Sequence, residues 1–331
     1  MRPISYARAT GVTDAIATML AYPGSAYLAG GTTEVDLLRL NIAQPTALVD
    51  INSLPLDHIE ELADGGLRIG ALARMSDVAD APGVAERFPM IAQALLLGAS
   101  PQLRHMASMG GNLLQRVRCG YFRDGVSPCN KREPGTGCSA LEGINRGHAI
   151  LGTSEHCIAT HPSDVAVAFV ALDAIVHTEG PDGAQAIPID DFFLLPGDTP
   201  DREHPLEHGE LIVAIEVPAS PVARTSLYLK VRDRESYEFA LTSAAVAARI
   251  EGGVLRDVRL ALGGIATKPW RARRAEQVLL GARAERATFA RAAREELAAA
   301  APRGQNAFKV ELAERTIIRA LETVAAMEGR A

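Results

Sequence analysis

The sequence predicts an α+β fold in successive parts: a small βαβ subdomain, a mixed α/β subdomain, and a C-terminal domain of antiparallel sheet and helices. Three observations carry this expectation. Two diglycine turns, Gly30-Gly31 and Gly110-Gly111, sit in separate folding units early in the chain, where apolar runs of strand and helix period alternate. A polar, Pro- and acid-rich connection, Pro196 to His208, then interrupts the pattern. Beyond it, period-two strands are followed by three helical stretches, the last two amphipathic. The chain has 331 residues, 47% of them hydrophobic, which is too long for one ordinary core. Boundaries are expected to give parts at 1–55, 56–208 and 209–331.

In chain order, Ile4 to Ala7 is strand-like, and Thr13 to Leu20 carries apolar residues at helical spacing behind a plausible N-cap. The strand Ala26 to Ala29 runs into Gly30-Gly31-Thr32-Thr33-Glu34 and then the helical stretch Val35 to Leu40. Without side chains at the two glycines, successive N–H groups can face an anion, with Thr hydroxyls and a helix N-terminus as further donors. The alternative is an ordinary tight turn. The pattern is neither G-x-G-x-x-G nor a P-loop. Ala47 to Ile51 closes the first unit as a strand.

A hairpin follows around Asp64-Gly65-Gly66, then helical patterns at Met75 to Ala81 and Ala85 to Leu97, and a short helix after Ser100-Pro101. Ser108-Met109-Gly110-Gly111-Asn112 is the second glycine turn; paired with the first, it suits a grip on a diphosphate from two sides. Asp164 opens an apolar helix that runs to Asp173. A hairpin is expected about Gly180-Pro181-Asp182-Gly183, and a strand over Glu210 to Val217. Strands at Ser226 to Val231, Ala240 to Ile250 and Leu255 to Leu262 precede helices at Arg271 to Leu280, Thr288 to Ala299 and Val310 to Met327.

Net charge is −6, and basic residues are scattered through helices, which argues against nucleic acid as a partner. No run approaches the roughly 18 apolar residues of a membrane span, and Met1-Arg2-Pro3 leads directly into a folded pattern. A cytoplasmic location is expected, with no export signal of its own.

All four cysteines, Cys119, Cys129, Cys138 and Cys157, lie between the second glycine turn and Asp164, spaced C-x9-C-x8-C-x18-C. A disulfide framework belongs to small secreted domains and fits poorly. Structural zinc usually shows C-x2-C knuckles, absent here, although His148, His156 and His161 are near enough to substitute as ligands. An iron–sulfur cluster takes Cys thiolates, and the segment is rich in wrapping Gly and Pro. Cluster, zinc and unligated thiols all remain open on spacing alone. There is no G-x-S-x-G and no H-E-x-x-H, and carboxylate pairs such as Glu60-Glu61 and Glu295-Glu296 fall in surface-like text. No catalytic side chain is expected, so bound cofactors would supply the chemistry.

Leu28-Ala29-Gly30-Gly31-Thr32, Ala107 to Leu113, Ser163-Asp164 and Gly263-Gly264-Ile265-Ala266-Thr267-Lys268-Pro269-Trp270-Arg271-Ala272 occur in that order. On these segments, across nearly its whole length, the chain resembles the FAD-binding medium subunit of the xanthine dehydrogenase, or molybdenum hydroxylase, family. The resemblance implies that the first two parts form a two-part FAD-binding domain. Ala29, Gly30, Gly31, Thr32, Thr33, Ser108, Met109, Gly110, Gly111 and Asn112 would hold the FAD pyrophosphate and nearby ribityl, Asp164 the sugar-like chain, and Ile212 and Lys230 would also touch FAD.

In most relatives the G-G-N turn is followed almost at once by the S-D segment, whereas here an insert at about 114–160 carries every cysteine. It resembles the insert in flavin subunits of 4-hydroxybenzoyl-CoA reductase and, more closely, of a bacterial aldehyde oxidoreductase. This implies a [4Fe–4S] cluster on Cys119, Cys129, Cys138 and Cys157. The role implied is electron relay: a molybdenum-cofactor large subunit oxidises an aldehyde or related compound, a [2Fe–2S] small subunit passes electrons, and FAD here delivers them to an external electron acceptor.

Overall fold

The computed structural model describes residues 3–328. Strands β1 (Ser5–Arg8), β2 (Ala26–Leu28) and β3 (Ala47–Asp50) form a parallel sheet ordered β1-β3-β2, with α1 (Val12–Ala21) and α2 (Glu34–Arg39) as crossovers. Helix α1 starts a residue before the expected cap. Gly11 is its N-cap, and Asp14 reaches back to accept from the Thr10 amide at 2.8 Å and hydroxyl at 2.9 Å. Ala15 and Met19 turn inward onto Val49.

The second sheet contains β4 (Ile59–Glu61), β5 (Leu67–Gly70), β6 (Ile175–Gly180), β7 (Gly183–Pro188) and β8 (Leu211–Val217), antiparallel in the order β4-β5-β8-β6-β7. Between β5 and β6 run α3 (Met75–Asp80), α4 (Pro82–Arg87), α5 (Pro89–Leu97), α6 (Pro101–Met106), α7 (Met109–Leu113), α8 (Gly120–Arg123) and α9 (Asp164–Ala171). A short α10 (Ile189–Phe192) follows β7. The single helix expected over Ala85 to Leu97 is two helices, because Pro89 pushes Phe88 out of helical backbone (ψ 54°).

Strand β8 departs from the expected division at residue 209. It pairs with β5 and β6 at the centre of this sheet and does not join the C-terminal one. Its apolar run marked a strand but not that strand's neighbours. The β6–β8 register skips Val213, a bulge that reverses which face alternate residues present. Leu211 and Val213 therefore enter the core of the first sheet, while Ile212, Ile215 and Val217 enter the main core. One strand is thus packed into two cores.

The third sheet, β9 (Ser226–Val231), β10 (Thr242–Glu251), β11 (Val254–Gly263) and β12 (Trp270–Arg271), is antiparallel in the order β12-β11-β10-β9. Period-two alternation along β10 sends Ala244, Val246 and Ala248 to a core under α11 (Arg273–Leu279), α12 (Arg286–Leu297) and α13 (Phe308–Glu328). Ala245 and Ala247 face the other way, into the main core shared with α5 and α9. All of Val165 to Ala171 is buried, so α9 is a central rod rather than an amphipathic helix. Ser163 caps its start by accepting from the Ala166 N–H at 3.1 Å. The buried Arg271 guanidinium donates to the Val170 carbonyl at 2.8 Å and to Asp173 at 2.7 Å near its end. Among the described residues no helix is long and apolar enough to cross a membrane.

Phe169 on α9 is fully buried. Phe169→Ala is expected to cost about 3–5 kcal/mol of unfolding free energy, read from urea denaturation followed by circular dichroism. A cost below about 1 kcal/mol would contradict the central position given to this helix.

Candidate cofactor sites

The first glycine turn links β2 to α2, and the chain there is held by a close approach. A Cβ on Gly30 would lie 1.8 Å from the Met106 carbonyl oxygen at the end of α6, and Gly31 has φ +73°, so side chains are excluded at one position and disfavoured at the next. A polar clamp fixes the same contact. Asn52 donates its amide to the Ala29 carbonyl at 2.9 Å, and Arg74 donates to Asn52 Oδ1 at 2.9 Å and to the Met106 carbonyl at 2.6 Å. Sequence reading missed Arg74 and the side-chain role of Asn52, because single polar residues in separate loops carry no motif. Among the described residues, no protein acceptor takes the N–H groups of Gly30, Gly31, Thr32 or Thr33, which leaves a row of donors before a helix start.

The second glycine turn is built differently: it is the short helix α7, capped by the buried Ser108. The N–H groups of Met109 and Gly110 donate to the Ala73 and Ala71 carbonyls at 3.0 and 2.8 Å, and that of Gly111 to Ser108 Oγ at 3.3 Å. Its donors are therefore engaged within the protein, and Met109 sits in the core. Gly111 and Asn112 nevertheless face a large cavity that Thr32, Thr33, Asp164 and Lys230 also line. The structure thus brings together residues from both turns with Asp164 and Lys230. It places Ile212 elsewhere, as a core side chain on β8 outside the cavity lining.

Asp164, the first residue of α9, accepts from Tyr228 Oη at 2.6 Å and from Lys230 Nζ at 2.8 Å. Burial pushes its carboxyl above the usual carboxylate range, and the Lys230 charge opposes that rise. The cavity carries five basic side chains, Arg39, Arg118, Arg123, Lys230 and Arg234, against three carboxylates, Asp36, Asp164 and Glu238. The whole chain is acidic, so this local positive balance runs against its surroundings. Lys230 pairs with Asp164 and Arg234 with Glu238, so the excess is left to Arg39, Arg118 and Arg123 against Asp36, and Arg118 and Arg123 share one Asp36 carboxylate oxygen at 3.4 and 2.5 Å. Arg118 also lies over the Phe239 ring, 5.1 Å from its centroid. Burial and then the adjacent Arg123 charge disfavour its cation.

All four cysteines are free of disulfides and line one small cavity with Phe122, Lys131 and His156. Cys119 precedes α8, and Cys129 faces Cys138 across an isolated antiparallel bridge. Burial pushes the Cys119 thiol up to about 11 and raises that of Cys157, with the neighbouring sulfurs adding to both. His148 Nε2 lies 3.2 Å from Cys119 Sγ. Among the described residues, no three His, Cys, Asp or Glu side chains converge where a single ion would sit.

The cysteine segment is bolted to the rest of the fold. Glu203 pairs with both Arg116 and Lys131, and Lys131 Nζ donates to the Pro200 carbonyl at 2.6 Å. The Ile150 N–H donates to the Ile265 carbonyl at 2.8 Å, within the Gly263 to Ala272 motif. Lys309 at the start of α13 is fully buried and donates to the Gly147 and Gly264 carbonyls at 2.8 Å each. Asn306 donates to the His148 and Ala149 carbonyls. Neither Asn306 nor Lys309 was legible in the sequence, because single polar residues ahead of a helix carry no motif.

Comparison with known proteins matches residues 2–220 to the FAD binding domain in molybdopterin dehydrogenase and residues 227–324 to the CO dehydrogenase flavoprotein C-terminal domain. The chain is 47% identical over 323 residues to the aldehyde oxidoreductase FAD-binding subunit PaoB of Escherichia coli, covering 97% of this chain and 98% of that protein. It is 27% identical over 300 residues to the carbon monoxide dehydrogenase medium chain of Hydrogenophaga pseudoflava, covering 89% of this chain and 87% of that one. A solved carbon monoxide dehydrogenase from the same organism superposes with a TM-score of 0.76 at 27% identity, covering 98% of this chain and 99% of its own. With both parts of the chain matched in order, it belongs to the family of FAD-binding medium subunits of the molybdenum hydroxylases and is an oxidoreductase subunit.

Proposed function

We propose that this chain is the electron-transfer subunit of a heterotrimeric molybdenum hydroxylase of the aldehyde-oxidising kind, holding FAD in the large cavity and a [4Fe–4S] cluster on Cys119, Cys129, Cys138 and Cys157. One adjacency carries the reading: Arg118 lines the large cavity, and the next residue, Cys119, lines the cysteine cavity. Two carriers bound there would be neighbours across one wall of side chains. Bound FAD supplies two-electron storage and the cluster single-electron carriage.

The polypeptide's own part is position and electrostatics. The Gly30 to Thr33 amides offer donors to the FAD diphosphate, with the Gly111-Asn112 face of α7 opposite. Asp164, oriented by Tyr228 and Lys230, offers a buried acceptor for a cofactor hydroxyl. Lys131 beside the cage puts polar hydrogens near the sulfurs, where they favour negative charge on a cluster, and His148 Nε2 adds one more beside Cys119 in the tautomer protonated there. An aldehyde substrate is favoured by the 47% identity to the aldehyde oxidoreductase subunit of E. coli. It would be oxidised on a molybdenum-cofactor large subunit, with a [2Fe–2S] small subunit feeding this chain and an external acceptor draining it. No bond-making step on the substrate is assigned here.

Anaerobic purification followed by flavin, iron and sulfide analysis tests the reading. Both cofactors are expected, and a colourless protein that contains zinc would overturn it. Cys129→Ser is expected to abolish bound iron while FAD stays at the wild-type level; equal iron in both proteins would remove Cys129 from the ligand set. Gly30→Ala forces a methyl into the Met106 carbonyl, and FAD binding is expected to weaken by at least about tenfold, or about 1.4 kcal/mol, in a fluorescence titration. Unchanged affinity would show that this turn does not face the dinucleotide.

A further inference from the structure

We propose that Arg118 and Arg123, both contributed by the cysteine-bearing segment, bind the diphosphate of FAD directly and complete a grip that the glycine turns leave half-made. The inference rests on the FAD reading above and adds residues that lie outside both glycine turns. Four observations carry it. Both arginines line the large cavity together with Thr32 and Thr33, whose amides have no protein acceptor among the described residues. Arg118 Nε and Arg123 Nη1 are buried donors with no partner among the described residues, although Asp36 takes one other nitrogen of each. A buried guanidinium N–H left without an acceptor is costly, so the pair is built for an acceptor that the protein does not supply.

The third observation is charge. Once Asp164–Lys230 and Glu238–Arg234 are paired, the cavity retains Arg39, Arg118 and Arg123 against Asp36, an excess of two positive charges that matches the two negative charges of a dinucleotide diphosphate. The fourth is the spent second turn. The N–H groups of Met109, Gly110 and Gly111 already donate within the protein, so the side of the diphosphate away from Gly30 to Thr33 needs donors from elsewhere. Planar guanidinium forks are suited to phosphate oxygens. By this assignment the segment that holds the cysteines also holds the dinucleotide.

The experiment titrates FAD into full-length apo-flavin protein that retains its iron, for wild type, Arg118→Gln/Arg123→Gln and Arg118→Lys/Arg123→Lys, at low and high salt. The Gln pair is expected to bind FAD roughly ten- to a hundredfold more weakly, with iron and sulfide unchanged. The Lys pair should recover part of that loss. Wild-type affinity should fall with ionic strength more steeply than that of the Gln pair, because charge is what was removed. The proposal is overturned if the Gln pair keeps wild-type affinity, or loses affinity equally at both salts. It is also overturned if iron disappears together with FAD, which would assign the arginines to holding the segment. A wild-type protein that binds no FAD at all would instead remove the flavin reading itself.

Discussion

The main chain at Gly30 presses against the Met106 carbonyl, and Asn52 and Arg74 lock the two sides by hydrogen bonds to Ala29 and Met106. This contact joins the first sheet to the helical part of the second, and the large cavity opens beside it. Its consequences follow from sterics. Glycine alone fits at 30, Gly31 must take a left-handed backbone, and the row of amides from 30 to 33 is thereby turned away from protein acceptors. Farther along the same cavity, the Asp164–Lys230 pair ties α9 to β9, so the third sheet also supplies cavity wall. Strand β8, packed into two cores through its bulge, makes the first two sheets one frame.

Much of this was legible in the sequence, for identifiable reasons. Glycine pairs announce backbone that needs room or positive φ, clustered cysteines announced a common place in the fold, the one small cavity that all four line, and period-two runs marked β9, β10 and β11 within a few residues. Other features were not legible. The second glycine turn looked like the first, yet its amides are consumed by Ser108 and by the Ala71 and Ala73 carbonyls, and those two carbonyls come from the turn after β5, far away in sequence. The place of β8 depended on which strands it pairs with, a long-range choice that an apolar run does not encode. Arg74, Glu203, Asn306 and Lys309 act across large sequence separations and belong to no motif.

The cysteine-bearing segment is held by buried polar contacts rather than by a large apolar core of its own. Its own cluster is small, built around Val117, Phe122, Cys129 and Cys157 with Leu37 of α2. Glu203 answers two cations from the segment, Lys309 caps two carbonyls, and Asn306 caps two more. Such contacts contribute little when complete and cost several kcal/mol when one side is missing.

Lys309 shows what that asymmetry means at the start of α13. Its ammonium has no exposure, and burial followed by the Arg146 charge pulls it down to about 7. One of its two carbonyl partners, Gly147, belongs to the inserted segment. Its other partner, the Gly264 carbonyl, lies outside the segment, so one ammonium ties the cysteine-bearing chain to the turn after β11. A scaffold given the cysteines without a donor at this place would leave the Gly147 carbonyl unanswered, so a graft of the segment into another protein calls for α13's first turn as well.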